Sequence, residues 1–221
     1  MISLVSAFVW LWADVASGHN YVHPLYHLWN ALVRLSFFLI ITLLLSELKN
    51  ALEREKDMAQ TDYLTGAVNA RLFFKLVQME VDRFCRTKRA FTLVYIDLDN
   101  FKTVNDHFGH SKGDDALCTV VSYAKQYLRK IDVIARLGGD EFALLLPETS
   151  QEYASIAIIK LQDALLEEMQ RNNWPITFSI GVMTCNAAPP NTDVLIKLAD
   201  DLMYSVKNNS KNAIKYATYT G

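Results

Sequence analysis

Hydrophobic and polar positions divide this chain into three stretches. Over residues 2–48 apolar side chains dominate, over 49–61 they thin to a sparse seam among charges, and from 62 onward helical and strand periods alternate. In the last stretch Asn69 can cap a helix whose apolar positions Leu72, Phe73, Leu76, Met79, Val81 and Phe84 recur at helical spacing. Phe91 to Asp97 is a β-branched apolar run that reads as a buried strand. A helical stretch reaches Phe108, and a further helix spans Asp114 to Leu128. Ile134 to Pro147 places two apolar runs around a glycine pair, the pattern of a β-hairpin. Helix Gln151 to Arg171, strand Ile176 to Met183, helix Thr192 to Asn208 and strand Ala213 to Tyr216 complete the chain. The order β-α-α-β-β-α-β-α-β predicts an α+β domain over 62–221, with a mixed, mostly antiparallel five-stranded sheet flanked by helices.

The front of the chain reads as membrane-associated over residues 1–48. Ile2 to Trp12 is a run of about 11 apolar residues, short of the roughly 20 that span a bilayer. It lacks the basic start and cleavage site of a signal peptide, and Trp10 and Trp12 suit an interface; it reads as the tail of a membrane helix from a longer chain. Leu25 to Leu48 is the stronger candidate, with residues 35–45 as its core. Asn30 and Arg34 are costly there, and a buried amphipathic helix is the alternative. Lys49, Arg54 and Lys56 follow it, whereas Asp14 to His23 has no Lys or Arg, which puts the downstream side in the cytoplasm at an inner membrane. Residues 49–61 continue as a helical stalk. Leu45, Leu48, Leu52 and Met58 suit either a short parallel coiled coil or a solvated linker helix.

Composition narrows the partners. Lys plus Arg number 22 against 24 Asp plus Glu, so no polybasic surface argues for nucleic acid. The three cysteines, Cys85, Cys118 and Cys185, are widely spaced and read as small core residues of a reducing compartment.

Candidate chemistry gathers at the hairpin tip. In Gly138-Gly139-Asp140-Glu141 the glycines let an anionic group reach the backbone, and the acids supply hard oxygen ligands for Mg²⁺. An ordinary hairpin with two solvated acids carries the same residues. The Phe91–Asp97 strand adds a carboxylate at its end; paired with the hairpin, it would set Asp97 facing Asp140. Acids brought together in a cleft repel unless a cation sits between them, as in two-metal phosphoryl transfer.

On these residues the chain resembles the GGDEF domains, the diguanylate cyclases that condense two GTP into cyclic di-GMP and two pyrophosphates. Gly138-Gly139-Asp140-Glu141-Phe142 matches their signature. Asp62-Tyr63-Leu64-Thr65-Gly66-Ala67-Val68-Asn69-Ala70-Arg71, Asn105, Gly109-His110 and Gly113-Asp114 match further motifs in order. The resemblance implies a palm-like nucleotidyl-cyclase fold and a nucleotidyltransferase activity in a homodimer. It implies Mg²⁺ or Mn²⁺, two per site, on Asp97, Asp140 and the Leu98 carbonyl, with Glu141 supporting them. Asp140, Glu141 and Lys102 would be the catalytic groups. Gly138 and Gly139 would give room beside the phosphates; Asn105 and Asp114 would bind guanine.

Lys102, Lys207 and Lys211 stand where that family places phosphate-binding cations. Ser210 and Lys211 replace its usual glycine and arginine, exchanging a guanidinium fork for a point charge. Asp114 also suits the start of a helix as an N-cap. Arg129 and Asp132 match the RxxD site at which the family binds its product as inhibitor, and RxxD is also a common surface ion pair. A non-catalytic module that only senses GTP or cyclic di-GMP is the rival reading, although such a module should have a damaged acid set.

Overall fold

The computed structural model describes Trp12 and residues 25–221; at 25–28, 31 and 52–58 the description is of the backbone alone. The chain divides into two units between Ala59 and Gln60.

The first unit contains one long helix, α1 (Leu25–Met58), 34 residues without Gly or Pro. It runs unbroken into the stretch read as a stalk and ends at Met58, three residues short of the expected boundary at 61. Leu32, Val33, Phe37, Ile40, Leu43, Leu44 and Leu45 are all exposed on it. The Ser36 and Thr42 hydroxyls donate to the carbonyls of Leu32 and Phe38 at 2.9 and 2.7 Å, so their polarity is satisfied within the helix. Among the described residues no helix is long and apolar enough to cross a membrane, which corrects the spanning helix expected over 25–48. Charge bounds the apolar part: residues 35–46, between Arg34 and Glu47, give about 18 Å of helix against a hydrocarbon core of about 30 Å. Apart from Trp12, the apolar run 2–12 lies outside the described residues, as do the Leu52 and Met58 side chains of the expected seam.

The second unit, Gln60–Gly221, is an α+β domain on one sheet. Its elements are β1 (Val68–Asn69), α2 (Ala70–Thr87), β2 (Phe91–Asp99), α3 (Phe101–Phe108), α4 (His110–Tyr127), β3 (Val133–Gly138), β4 (Glu141–Leu146), α5 (Gln151–Arg171), β5 (Thr177–Cys185), α6 (Thr192–Asn209) and β6 (Ala213–Tyr219). The strand order is β1-β3-β4-β2-β5-β6. The three inner pairings are antiparallel, and the edge strands β1 and β6 join in parallel.

The sheet thus has six strands, not five. The extra one, Val68–Asn69 against Ala135–Arg136, is two residues long and carries no period to read. Asn69 ends that strand and caps α2, its side chain accepting the Leu72 N–H at 2.9 Å.

β2 lies at the centre, buried at all nine positions between β4 and β5. Its alternation sorts the core. Val94, Ile96 and Leu98 pack with Val104, Leu117, Val120 and Ile158 of the α3, α4 and α5 layer. Phe91, Leu93 and Tyr95 pack with Phe73, Val77, Leu195 and Met203 of α2 and α6. On that period Asp97 and Asp99 share the face of α2 and α6. Helix α6 closes tightly on β5 at Gly181, where a Cβ would come 2.4 Å from the Met203 N and 2.5 Å from the Ala199 O.

Candidate active site

Asp97 stands near the end of β2 and is 1% exposed. Its Oδ2 accepts from the Lys207 Nζ at 2.6 Å, while its Oδ1 is buried without a hydrogen-bond partner. Across the ladder its direct partner is Glu141, so these two side chains share a face. Asp140 lies one residue earlier, on the turn, with its carbonyl accepting the Leu98 N–H at 3.2 Å. The acid directly opposite Asp97 is therefore Glu141, where the sequence suggested Asp140.

Electrostatics mark the cluster as strained. Burial pushes the Asp97 carboxyl up; the Lys207 ammonium opposes this, and Asp140 and Asp99 add to it. Glu141 is pushed up by burial, then by Asp97 and Asp200. Lys207 is raised through its hydrogen bond to Asp97, with Asp140 and Glu141 contributing. Among the described residues no three His, Cys, Asp or Glu side chains form a metal-holding group. The donors that could hold a cation are two carboxylates, Asp97 and Asp140, with the Leu98 carbonyl.

The tip itself is open. Gly139 has φ +52°, and a Cβ on Gly138 or Gly139 would meet nothing within 4 Å. Arg136 fixes it from behind: its Nε and Nη2 donate to the Gly139 carbonyl at 3.0 and 2.8 Å, and its Nη1 reaches Asp62 at 3.2 Å. Asp62 also accepts the Thr65 N–H and hydroxyl at 2.9 and 2.6 Å. Burial works against its charge, yet the Thr65 hydroxyl and N–H and the Arg136 guanidinium hold the Asp62 carboxyl below the usual range. The opening turn of the domain and the hairpin tip are thereby one hydrogen-bonded assembly.

Asp99 is the residue the sequence reading passed over as a site group. Buried to 2% exposure, it accepts from the Thr177 and Ser179 hydroxyls at 2.8 Å each and from the Asn212 N–H at 3.1 Å. Lys211 and Asn212 both have positive φ, 50° and 43°, so this carboxylate holds a strained turn that carries Lys211. Its spacing of two from Asp97 was the available signal, since i and i+2 on a strand share one face. Lys211 and Lys102 are exposed; Lys102 lies in the first turn of α3.

Asn105 and Asp114 come from two consecutive helices that meet at Gly109 (φ +84°), whose N–H donates to the Asn105 carbonyl at 3.0 Å. Because α4 starts at His110, Asp114 is an exposed second-turn residue and not an N-cap. That leaves its carboxylate free of a capping role.

Arg129 and Asp132 lie ahead of β3, at the end opposite the glycine tip and roughly 20 Å of strand away. They pair with each other: Arg129 Nη2 to Asp132 Oδ1 at 2.8 Å, Nε to Oδ2 at 3.2 Å and N–H to Oδ2 at 2.9 Å. Arg129 also donates to the Pro147 carbonyl at 3.1 Å and to the Thr149 hydroxyl. A cavity of about 380 Å³ beside them is lined by Tyr127, Glu148 and Tyr153 among others.

The family described as "Diguanylate cyclase, GGDEF domain" matches residues 59–213. Diguanylate cyclase DgcM of Escherichia coli K12 is 32% identical over 171 residues, covering 77% of this chain and 41% of DgcM. Biofilm architecture maintenance protein MbaA of Vibrio cholerae serotype O1 is 34% identical over 183 residues, again 77% of this chain but 23% of MbaA. The chain thus spans less than half of either relative. A solved microbial GGDEF domain, described in an interaction with cyclic di-GMP, superposes with a TM-score of 0.65 at 30% identity. It covers 73% of this chain and 99% of its own.

Proposed function

This chain belongs to the GGDEF domain family, and we propose that it is a diguanylate cyclase that condenses two GTP into cyclic di-GMP. The observation that carries the proposal is the end of β2: a buried carboxylate with one oxygen unpartnered, beside Asp140 on a tip with open space around its glycines. A buried acceptor left unpaired costs stability, and a cation on it removes that cost. Asp97 and Asp140, with the Leu98 carbonyl, fit Mg²⁺ or Mn²⁺, and two such ions would neutralise triphosphate charge and favour a ribose 3′-oxygen as nucleophile.

The chain's own residues supply the rest. The bare backbone at Gly138 and Gly139 admits phosphate, and Arg136 keeps that backbone in place. Lys207, Lys211 and Lys102 would neutralise phosphate oxygens, Lys207 already lying against Asp97. Glu141 adds negative charge on the Asp97 face, which strengthens the hold on a cation. Asp114 and Asn105 would read the base: a carboxylate accepts from the guanine N1–H and N2–H, whereas adenine presents the opposite pattern. In each of two transfers a 3′-oxygen bonds to the α-phosphorus of the other nucleotide and pyrophosphate leaves.

One unit holds one nucleotide, so the reaction requires two chains face to face, a homodimer. Arg129 and Asp132 would take the product as inhibitor, with their mutual ion pair opening to admit a guanine or phosphate. The catalytic unit would work in the cytoplasm, where GTP is found, at the inner membrane. The exposed apolar side chains of α1 support contact with the membrane surface, and the chain should sediment with membranes. Incubation with GTP and Mg²⁺, read by mass, should give cyclic di-GMP, and Asp140→Ala should give none. Turnover retained in that variant refutes the metal assignment; GTP binding without product in the parent chain makes it a sensor instead.

A further inference from the structure

We infer that Gly113 is a positioning residue for base selection, seating the Asn105 side chain by leaving out a Cβ. The inference rests on the guanine-binding reading of Asn105 and Asp114. It starts from the junction of α3 and α4. The positive φ of Gly109 folds α4 back over the end of α3, so that Gly113 in the first turn of α4 is buried against Asn105. A Cβ built on Gly113 would stand 2.0 Å from the Asn105 Oδ1, 3.0 Å from its Cγ and 3.2 Å from the Phe101 Cζ. The first of these is far inside van der Waals contact. Asn105 therefore occupies the volume that any other residue at 113 would fill.

Gly113 lies within α4 with ordinary helical backbone and a negative φ. Backbone freedom does not call for glycine at this position; the neighbouring amide does. Glycine within a helix costs up to about 1 kcal/mol against alanine, and at the fourth helical residue its presence is consistent with a contact that alanine would spoil. The spoiled contact is at the end of a flexible side chain. Alanine would turn the Asn105 amide away and leave the two helices almost where they are, with Phe101 yielding a few tenths of an ångström. Asp114, next in the chain, stays in place. The pair that would read the base thereby loses one member without either being substituted.

The test is binding of the inert analogue guanosine 5′-(α,β-methylene)triphosphate to the full chain, by calorimetry, with the adenosine analogue alongside. Gly113→Ala and Asn105→Ala should each weaken the guanosine analogue about tenfold and leave the adenosine analogue unchanged, narrowing the preference between bases. In turnover its KM for GTP should rise with kcat within twofold. In the Asn105→Ala background Gly113→Ala should add nothing, because the atom it displaces is gone. If Gly113→Ala alone does not fold, the double variant should fold and bind as Asn105→Ala does. The inference is overturned if Gly113→Ala binds like the parent, weakens both analogues alike, or adds a further loss in the Asn105→Ala background. A double variant that does not fold also overturns it. If Asn105→Ala and Asp114→Ala both bind like the parent, the base-reading assignment itself fails and takes this one with it.

Discussion

Single side chains in this domain work under conflict, and Glu141 shows how that conflict can be measured. Burial, Asp97 and Asp200 push its carboxyl up, so the folded state binds a proton more readily than the unfolded chain does. The ionised form therefore costs stability above the folded value, and the cost disappears below the ordinary carboxylate range. Glu141→Gln should raise Tm by about 1–2 °C at pH 7 in metal-free buffer, with the gain closing as pH falls toward 4. Magnesium should stabilise the parent more than the variant. Gly181 is a conflict of space: a Cβ there meets backbone atoms of α6 at 2.4 and 2.5 Å, which no rotamer change relieves. Gly181→Ala should destabilise the fold by about 3 kcal/mol in urea unfolding, while Gly113→Ala, which meets a mobile amide, should cost far less.

Elements hold the site together through contacts that periodicity could not display. The central strand, read to Asp97 and found to run two residues further to Asp99, the hairpin around Gly138-Gly139 and the cap at Asn69 were legible, because each is a local pattern of apolar runs, glycines and capping residues. The clamp of Arg136 on Gly139 and Asp62 was not, since it joins positions 74 residues apart that only folding brings together. β1 escaped for want of length. The helix start expected at Asp114 was four residues late because α4 is entered through Gly109 and begins at His110, which also removes the alternative of Asp114 as an N-cap. Arg136→Ala should free the tip at both ends: about 1–3 kcal/mol of stability should go, and turnover should fall at least tenfold with GTP binding less affected. Arg136→Lys, which keeps charge without the fork, should recover stability better than turnover.

At the scale of the whole molecule, activity should belong to pairs of chains. Below the dimer dissociation constant, halving the protein concentration should halve the rate per chain. A constant rate per chain down to nanomolar protein would rule out the face-to-face arrangement. The two units differ in how much the residues disclosed. The domain's motifs are dense and chemical, so family and fold class were readable, while Asp99 was passed over and Asp97 turned out to face Glu141. The front of the chain offers only hydropathy, and Arg34, Glu47 and Lys49 shorten its apolar part below a bilayer's thickness.

α1 has neither glycine nor proline in its 34 residues, so at 1.5 Å per residue it is a continuous rod about 51 Å long. Its backbone hydrogen bonds run without an interruption at which a kink would form. A Gly-Gly insertion after Asn50 should therefore split it into two shorter pieces and lower helix content by circular dichroism, because neither piece keeps the full cooperative length.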